Sequence, residues 1–228
     1  FLPLALGELL AKRGFSGHIT AGGPFATLAR DWLLGRYPWL ESVVRFAGEA
    51  PLVALVSALR NGTALDQVAG LTTRQCDGRP APVLDQPMND RCPIRGERPR
   101  LLRKGVAHVM ATRGCAGRCS YCGPAALQSQ ELEEGLRAGA SRAELGAAGV
   151  GGVRRRPMDA LCDEMATLWR GGTRYFYFVD EHVLPYQEPA ALEFLRRLEE
   201  GLRRRKLGRF GIGCMLRSER LTARVVEE

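Results

Sequence analysis

Apolar residues recur at helical spacing from Phe1 to Arg13, from Ala26 to Leu34 and from Pro51 to Arg60. Between these stretches, His18 to Thr20 and Ser42 to Phe46 are short runs with the composition of strands. The pattern weakens from Asn61 to Lys104, where prolines cluster between Pro80 and Pro99, so that segment reads as an irregular connection. Periodicity then returns with a strand over Val106 to Thr112 and an Ala/Glu/Gly-rich region, Pro124 to Gly152, expected to be part helix and part insertion. Met158, Leu161, Met165 and Leu168 fall on one helical face, and Tyr175 to Val179 reads as a short aromatic strand. Leu195, Leu198 and Leu202 stripe a helix over Glu188 to Lys206, ahead of a strand at Phe210 to Met215 and a helix beginning at Ser218. Strands alternating with helices predict an α/β fold with parallel pairing and right-handed crossovers.

The expected division is a first domain over 1–61, a connection over 62–104 and a second domain over 105–228. A chain of 228 residues with 45% hydrophobic content can bury one large core or two smaller ones. Its longest strongly apolar stretch, Pro51 to Leu59, is too short to span a bilayer. The apolar start from Phe1 to Leu10 lacks an initiator Met and a basic flank, so no targeting signal and no membrane partner are expected.

Net charge is +8, which raises the question of a nucleic-acid partner. Only Lys12, Lys104 and Lys206 are lysines, however, and the arginines are spread along the whole chain. The runs Arg154-Arg155-Arg156 and Arg203 to Lys206 lack interleaved aromatics and read as solvated surface, so nucleic acid is not expected as a partner.

Chemistry concentrates in Cys115-Ala-Gly-Arg-Cys119-Ser-Tyr-Cys122. Three thiols spaced C-x3-C-x2-C can ligate three irons of a [4Fe-4S] cluster and leave the fourth open. Two-cluster ferredoxins use a different spacing, and structural zinc sites pair two Cys or His knuckles. Neither pattern fits, because no His lies nearby and Cys76, Cys92, Cys162 and Cys214 are distant. A zinc module and coincidence stay open on spacing alone. Thiols without a paired-disulfide framework suit a reducing compartment, so a cytoplasmic location is expected. Cys162 and Cys214 read as core residues, and His18 and His108 as structural residues within strands.

In parallel α/β folds functional groups gather where strands end. The cysteine loop follows the first strand of the second domain, Asp180-Glu181-His182 the second, and Arg217 the third. A metal cluster beside carboxylates and a guanidinium suits a ligand bearing both an ammonium and a carboxylate.

The pattern Cys115, Cys119, Tyr121, Cys122 resembles the radical S-adenosylmethionine (SAM) superfamily. Arg113-Gly114-Cys115, Arg154 to Glu164, Phe178-Val-Asp180-Glu181 and Leu216-Arg217-Ser-Glu-Arg-Leu221 resemble its branch with an N-terminal cobalamin-binding domain. In the first domain, Ile19 to Thr27 with Gly22-Gly23 resembles the glycine turn on which cobalamin's nucleotide tail rests. Val43-Val-Arg-Phe-Ala-Gly48-Glu49 is similar to the family's Val-Val-x-Gly-Glu-Gly-Glu. Where the branch reads Asp-Asn after its first acidic residue, this chain has Glu181-His182. Asp180-x-His182 is not expected to ligate cobalt, since it lacks the following Gly and follows the wrong strand.

The resemblance implies a C-terminal part of a Rossmann-like cobalamin-binding domain followed by the first half of a radical SAM partial (β/α) barrel, as a fragment of a longer protein. It implies a [4Fe-4S] cluster on Cys115, Cys119 and Cys122, SAM contacts from Tyr121, Asp180, Glu181 and Arg217, and cobalamin contacts from Gly22, Gly23 and Glu49. The implied activity is functionalisation of an unactivated carbon, chiefly C-methylation through methylcobalamin. Ring formation or rearrangement, RNA methylthiolation, and a non-catalytic iron-sulfur or zinc module are the alternatives. The implied partners are a small-molecule or peptide substrate and a low-potential electron donor such as flavodoxin or ferredoxin. His182, in a loop at the catalytic edge, is a candidate proton carrier.

Overall fold

A computed structural model describes residues 2–80, 100–101, 104–218 and 221–227. They form two compact units. The first joins the described residues up to 80 with Gly117–Gly151, and the second joins 100–101 and 104–116 with the chain from Gly152 onward.

In the first unit, α1 (Leu2–Lys12) precedes β1 (Thr20–Gly22), two short helices α2 (Pro24–Leu28) and α3 (Arg30–Arg36), β2 (Ser42–Val44) and α4 (Glu49–Asn61). β1 pairs parallel with β2 in the register Thr20↔Ser42 and Gly22↔Val44. The single helix expected from Ala26 to Leu34 is divided at Ala29, whose φ of −108° and ψ of 19° leave the helical range. Leu33, Leu34, Leu40 and Val43 make one buried cluster, and Val44, Leu55, Ala58 and Leu71 make another. Helix α4 is apolar nearly all round, so burying Leu55 and Ala58 leaves Leu52, Val53, Val56 and Leu59 exposed.

Within the stretch expected as a connection, β3 (Leu71–Thr73) pairs antiparallel with β2 and gives the sheet order β1-β2-β3. Cys92 and the later prolines of that stretch lie outside the described residues. The Ala/Glu/Gly-rich region, expected in the second domain, belongs to the first unit as α5 (Gly123–Arg137) and α6 (Arg142–Ala147). Ser141 caps α6 in a reciprocal box with Glu144. α5 is tied down by charge: Glu134 pairs with Arg45 and, at 3.2 Å, with Arg30. The Arg45 guanidinium also donates to the carbonyl of Gly78.

In the second unit, β4 (Arg100–Leu101) lies antiparallel to β5 (Lys104–Val109), followed by β6 (Thr112–Arg113) and β7 (Arg154–Arg155), an antiparallel pair. Helix α7 (Met158–Arg170), β8 (Thr173–Phe178), α8 (Glu188–Arg204), β9 (Gly211–Cys214) and α9 (Ala223–Glu227) complete it. β5, β8 and β9 are parallel neighbours in a sheet of order β4-β5-β8-β9. Phe176 and Phe178 of β8 bury against Leu161 and Met165 of α7 and Leu198 and Leu202 of α8. The two helices approach so closely that a β-carbon at Gly201 would lie 2.6 Å from Cys162 Sγ. On the sheet's other face Gly211 and Gly213 stand beside Tyr175 and Tyr177. A β-carbon there would come within 2.8 Å of Tyr175 Cδ1 and 2.9 Å of Tyr177 Cδ2.

Two surface expectations change. Cys162 is buried as expected, but Cys214 is exposed, on the edge strand of the described sheet. Arg203 and Arg204 are solvated and paired with Glu199 and Glu200 one turn back, whereas Arg156 is buried against Glu164. An arginine run therefore did not imply a solvated face at its third member. Among the described residues no helix is long and apolar enough to cross a membrane.

Candidate functional site

The strand expected over Val106 to Thr112 breaks after Val109, and the cause is Asp180. Its carboxylate is buried just past the end of β8 and accepts the Ala111 N–H at 3.1 Å, the Thr112 N–H, and the Thr112 hydroxyl at 2.6 Å. From the other side, the Ala111 carbonyl accepts the Arg156 N–H at 2.8 Å. With its backbone groups taken by these partners, residue 111 leaves the sheet, and the chain turns through Gly114 at φ 97° into the cysteine loop. The sequence reading placed Asp180 against SAM; both of its oxygens instead face the backbone that launches the loop.

Glu181 is exposed, and Tyr121 stands out at 90% exposure. His182 is buried rather than displayed at the edge, which does not suit a proton carrier exchanging with solvent. Its Nδ1 accepts the backbone N–H of Arg217 at 3.3 Å, and its ring meets Tyr186 edge to face with centroids 4.8 Å apart. Tyr186, which sequence reasoning missed, has its hydroxyl 3.3 Å from Cys115 Sγ. The Arg217 guanidinium stands beside the same hydroxyl. Burial pushes the Tyr186 phenol up, the Cys115 thiol adds to that, and the Arg217 guanidinium opposes it. The only signal in the sequence was an aromatic six residues past Asp180 in a loop at the carboxyl edge. Tyr186 thus stands between Cys115 and Arg217.

Cys115 belongs to the second unit, and Cys119 and Cys122 to the first. None of the three is in a disulfide, all are half-buried, and Cys122 stands at the N-terminal cap of α5. Among the described residues, no group of three or more His, Cys, Asp or Glu side chains is gathered at metal-holding distances. The donor chemistry fits an iron-sulfur cluster all the same: three thiols with no competing disulfide, on a loop that leaves the sheet beside the end of a parallel strand.

In the first unit the two glycine turns share one sheet edge. Gly23, at φ 92°, opens α2 after β1, and a β-carbon there would meet nothing within 4 Å. Gly48 opens α4 after β2, with Glu49 exposed in the first turn. Thr27 ties the two turns, its hydroxyl donating to the Gly23 carbonyl at 3.0 Å and accepting the Phe46 N–H at 3.0 Å. Phe46, at φ 53°, occupies the place where the resembling segment carries glycine, which explains a glycine preference there. An open glycine turn at the carboxyl edge of parallel strands fits the close approach of a nucleotide tail.

No family model matches the chain. Its fold matches that of TsrM from Kitasatospora setae, a radical SAM methyltransferase solved with cobalamin and a [4Fe-4S] cluster bound, at TM-score 0.57 and 20% identity over 89% of this chain and 37% of that one. It also matches OxsB, a cobalamin-dependent SAM radical enzyme solved with aqua-cobalamin and SAM, at TM-score 0.59 and 16% identity over 92% of this chain and 27% of that one. Over most of its length the chain shares the fold of these two enzymes. In sequence it is 29% identical over 196 residues to an uncharacterised methyltransferase, PH0819, of Pyrococcus horikoshii. That alignment covers 81% of this chain and 38% of the relative, so the chain spans well under half of the length of the curated relative it matches.

Proposed function

We propose that this chain is part of a cobalamin-dependent radical SAM enzyme that functionalises an unactivated carbon, with C-methylation as its reaction. The observation that carries this reading is the launch of the C-x3-C-x-Tyr-C loop: Asp180, at the end of β8, takes the amides of residues 111 and 112 and turns the chain out of the sheet just before Cys115. The fold it shares with TsrM and OxsB supports the same class.

Cys115, Cys119 and Cys122 would hold a [4Fe-4S] cluster, and the Gly22-Gly23 turn with Glu49 would receive cobalamin. When bound, these groups supply an open iron for the amino and carboxylate groups of SAM, the electron that cleaves it, and a methyl group for an unactivated carbon. The protein residues orient and protect. Arg217, held by its backbone N–H to His182, offers a guanidinium to an anionic ligand group in addition to Tyr186. Glu181 and Tyr121, both exposed, remain available for SAM's ammonium and adenine ends. Phe176, Phe178 and the helices behind them exclude water from one face of the sheet. A small molecule or peptide is the substrate in this reading, with a flavodoxin or ferredoxin as electron donor and the cytoplasm as location.

Anaerobic reconstitution of the full-length protein with iron and sulfide tests the proposal through optical and spin-resonance spectra with and without SAM. A cluster whose spectrum changes on SAM addition is expected, as is bound cobalamin in protein produced with that cofactor. A protein that assembles no cluster, or one indifferent to SAM, overturns the assignment.

A further inference from the structure

Tyr186 has no role in the chemistry set out so far, yet its neighbours place it closely. Its oxygen lies 3.3 Å from Cys115 Sγ, its ring packs against buried His182, and the Arg217 guanidinium stands beside the same hydroxyl. All four residues belong to one unit. A guanidinium can only donate, so Arg217 competes for the phenol's lone pairs and not for its O–H. Cys115 Sγ lies within reach of that O–H. A thiolate bound to iron has lost its proton and can only accept. With the sulfur bound to iron, the direction of the contact follows: Tyr186 donates and the sulfur accepts.

We propose that Tyr186 is a positioning residue for the cluster assigned above, donating its O–H to the sulfur of Cys115 and thereby raising the cluster's reduction potential. The inference rests on the cluster reading. Reduction adds negative charge to a cluster, and a hydrogen bond to a ligating sulfur stabilises that charge, as hydrogen bonding to sulfurs is one of the levers that sets cluster potentials. His182 acts one step further out by holding the ring, and it is itself held by the Arg217 backbone N–H. The sequence carries a His where its relatives by resemblance carry Asn, and in this chain that His is the wall Tyr186 packs on.

The test compares the full-length protein with its Tyr186→Phe variant, both reconstituted anaerobically with iron and sulfide and titrated by spin resonance against a series of low-potential dyes. Tyr186→Phe keeps the ring on His182 and removes one hydroxyl. Equal iron content, a midpoint shifted to more negative potential and altered g-values are expected, while Tyr177→Phe on β8 leaves the midpoint where it was. Equal midpoints in parent and Tyr186→Phe overturn the proposal and leave the cluster reading standing. Failure of the parent itself to assemble a cluster overturns the cluster reading, and this inference with it. Should Tyr186→Phe not fold, proton ENDOR on the parent's reduced cluster gives a second readout: an exchangeable proton coupled to the cluster, lost in D2O, is expected, and its absence overturns the proposal.

Discussion

Removing the Asp180 carboxylate is the sharpest perturbation the structure offers. Ala111 and Thr112 are fully buried, and their two N–H groups and the Thr112 hydroxyl all donate to this one side chain. Asp180→Ala strands three buried donors at once. Leaving a buried donor unsatisfied costs about 1–3 kcal/mol, so three of them, partly relieved by water entering the vacated space, amount to about 3–6 kcal/mol. That is a large share of the ~5–15 kcal/mol that holds a domain folded. Asp180→Asn keeps one acceptor oxygen but sets an NH2 group against donors, and loses about 1–2 kcal/mol by the same reasoning. The assay is urea unfolding in a background of Trp32→Phe and Trp39→Phe, which leaves Trp169, in the same unit as Asp180, as the fluorescent reporter. The expected order of midpoints is parent, Asp180→Asn, Asp180→Ala, at unchanged slope. An Asp180→Ala midpoint equivalent to less than about 0.5 kcal/mol of change would refute the argument that this carboxylate shapes the loop launch.

Other outcomes follow from packing and charge. Glu134→Gln removes the buried countercharge of Arg45 but leaves it the Gly78 carbonyl and Asp77 at 3.5 Å, and costs about 1–3 kcal/mol, whereas the double change Arg45→Met, Glu134→Met restores part of it; a double-mutant cycle on thermal midpoints measures the coupling. Gly201→Ala improves helix propensity by about 1 kcal/mol yet drives a methyl into Cys162 Sγ, for a net loss of about 1–2 kcal/mol that Cys162→Ala relieves, read by chemical denaturation. Burial pushes the Cys162 thiol above its ordinary 9.0, because a thiolate there would be desolvated. Its contribution to stability is therefore complete below the unfolded thiol's pKa and erodes as pH rises beyond it, and alkylation mapped by mass spectrometry finds Cys162 protected in the folded protein. Cys115→Ala, Cys119→Ala and Cys122→Ala each abolish iron retention on reconstitution, measured by metal analysis.

The order of strands and helices was legible because apolar spacing is local, and the parallel pairing followed from their alternation. What the sequence hid was long-range and polar. Nothing in Val106 to Thr112 announces a break, since the break is imposed by a carboxylate about seventy residues later. Asp180 was singled out but given a ligand, because an acidic residue at a strand end serves backbone or cofactor equally well. Leu71 to Thr73 was lost among prolines and glycines, being too short to show a period. Arg156 was hidden for the opposite reason: its partner Glu164 lies two turns into the next helix, and a run of like residues reads as one surface until the partner is placed. Tyr186 carried no motif at all, and its meaning depends on His182 in its own loop and on what two other loops bring to it.

The glycines of β9 deserve a last consequence. Because positions 211 and 213 carry no side chain, the rings of Tyr175 and Tyr177 extend over the neighbouring strand, and the shape of that face is written by two residues that contribute no side-chain atoms to it. Tolerance to mutation along β9 should then alternate, with Ile212, half-exposed on the opposite face, open to exchange and its two neighbours closed to it. A saturation scan would draw that strand as a dotted line, its gaps falling where a homologue search would see only the commonest and least distinctive of amino acids.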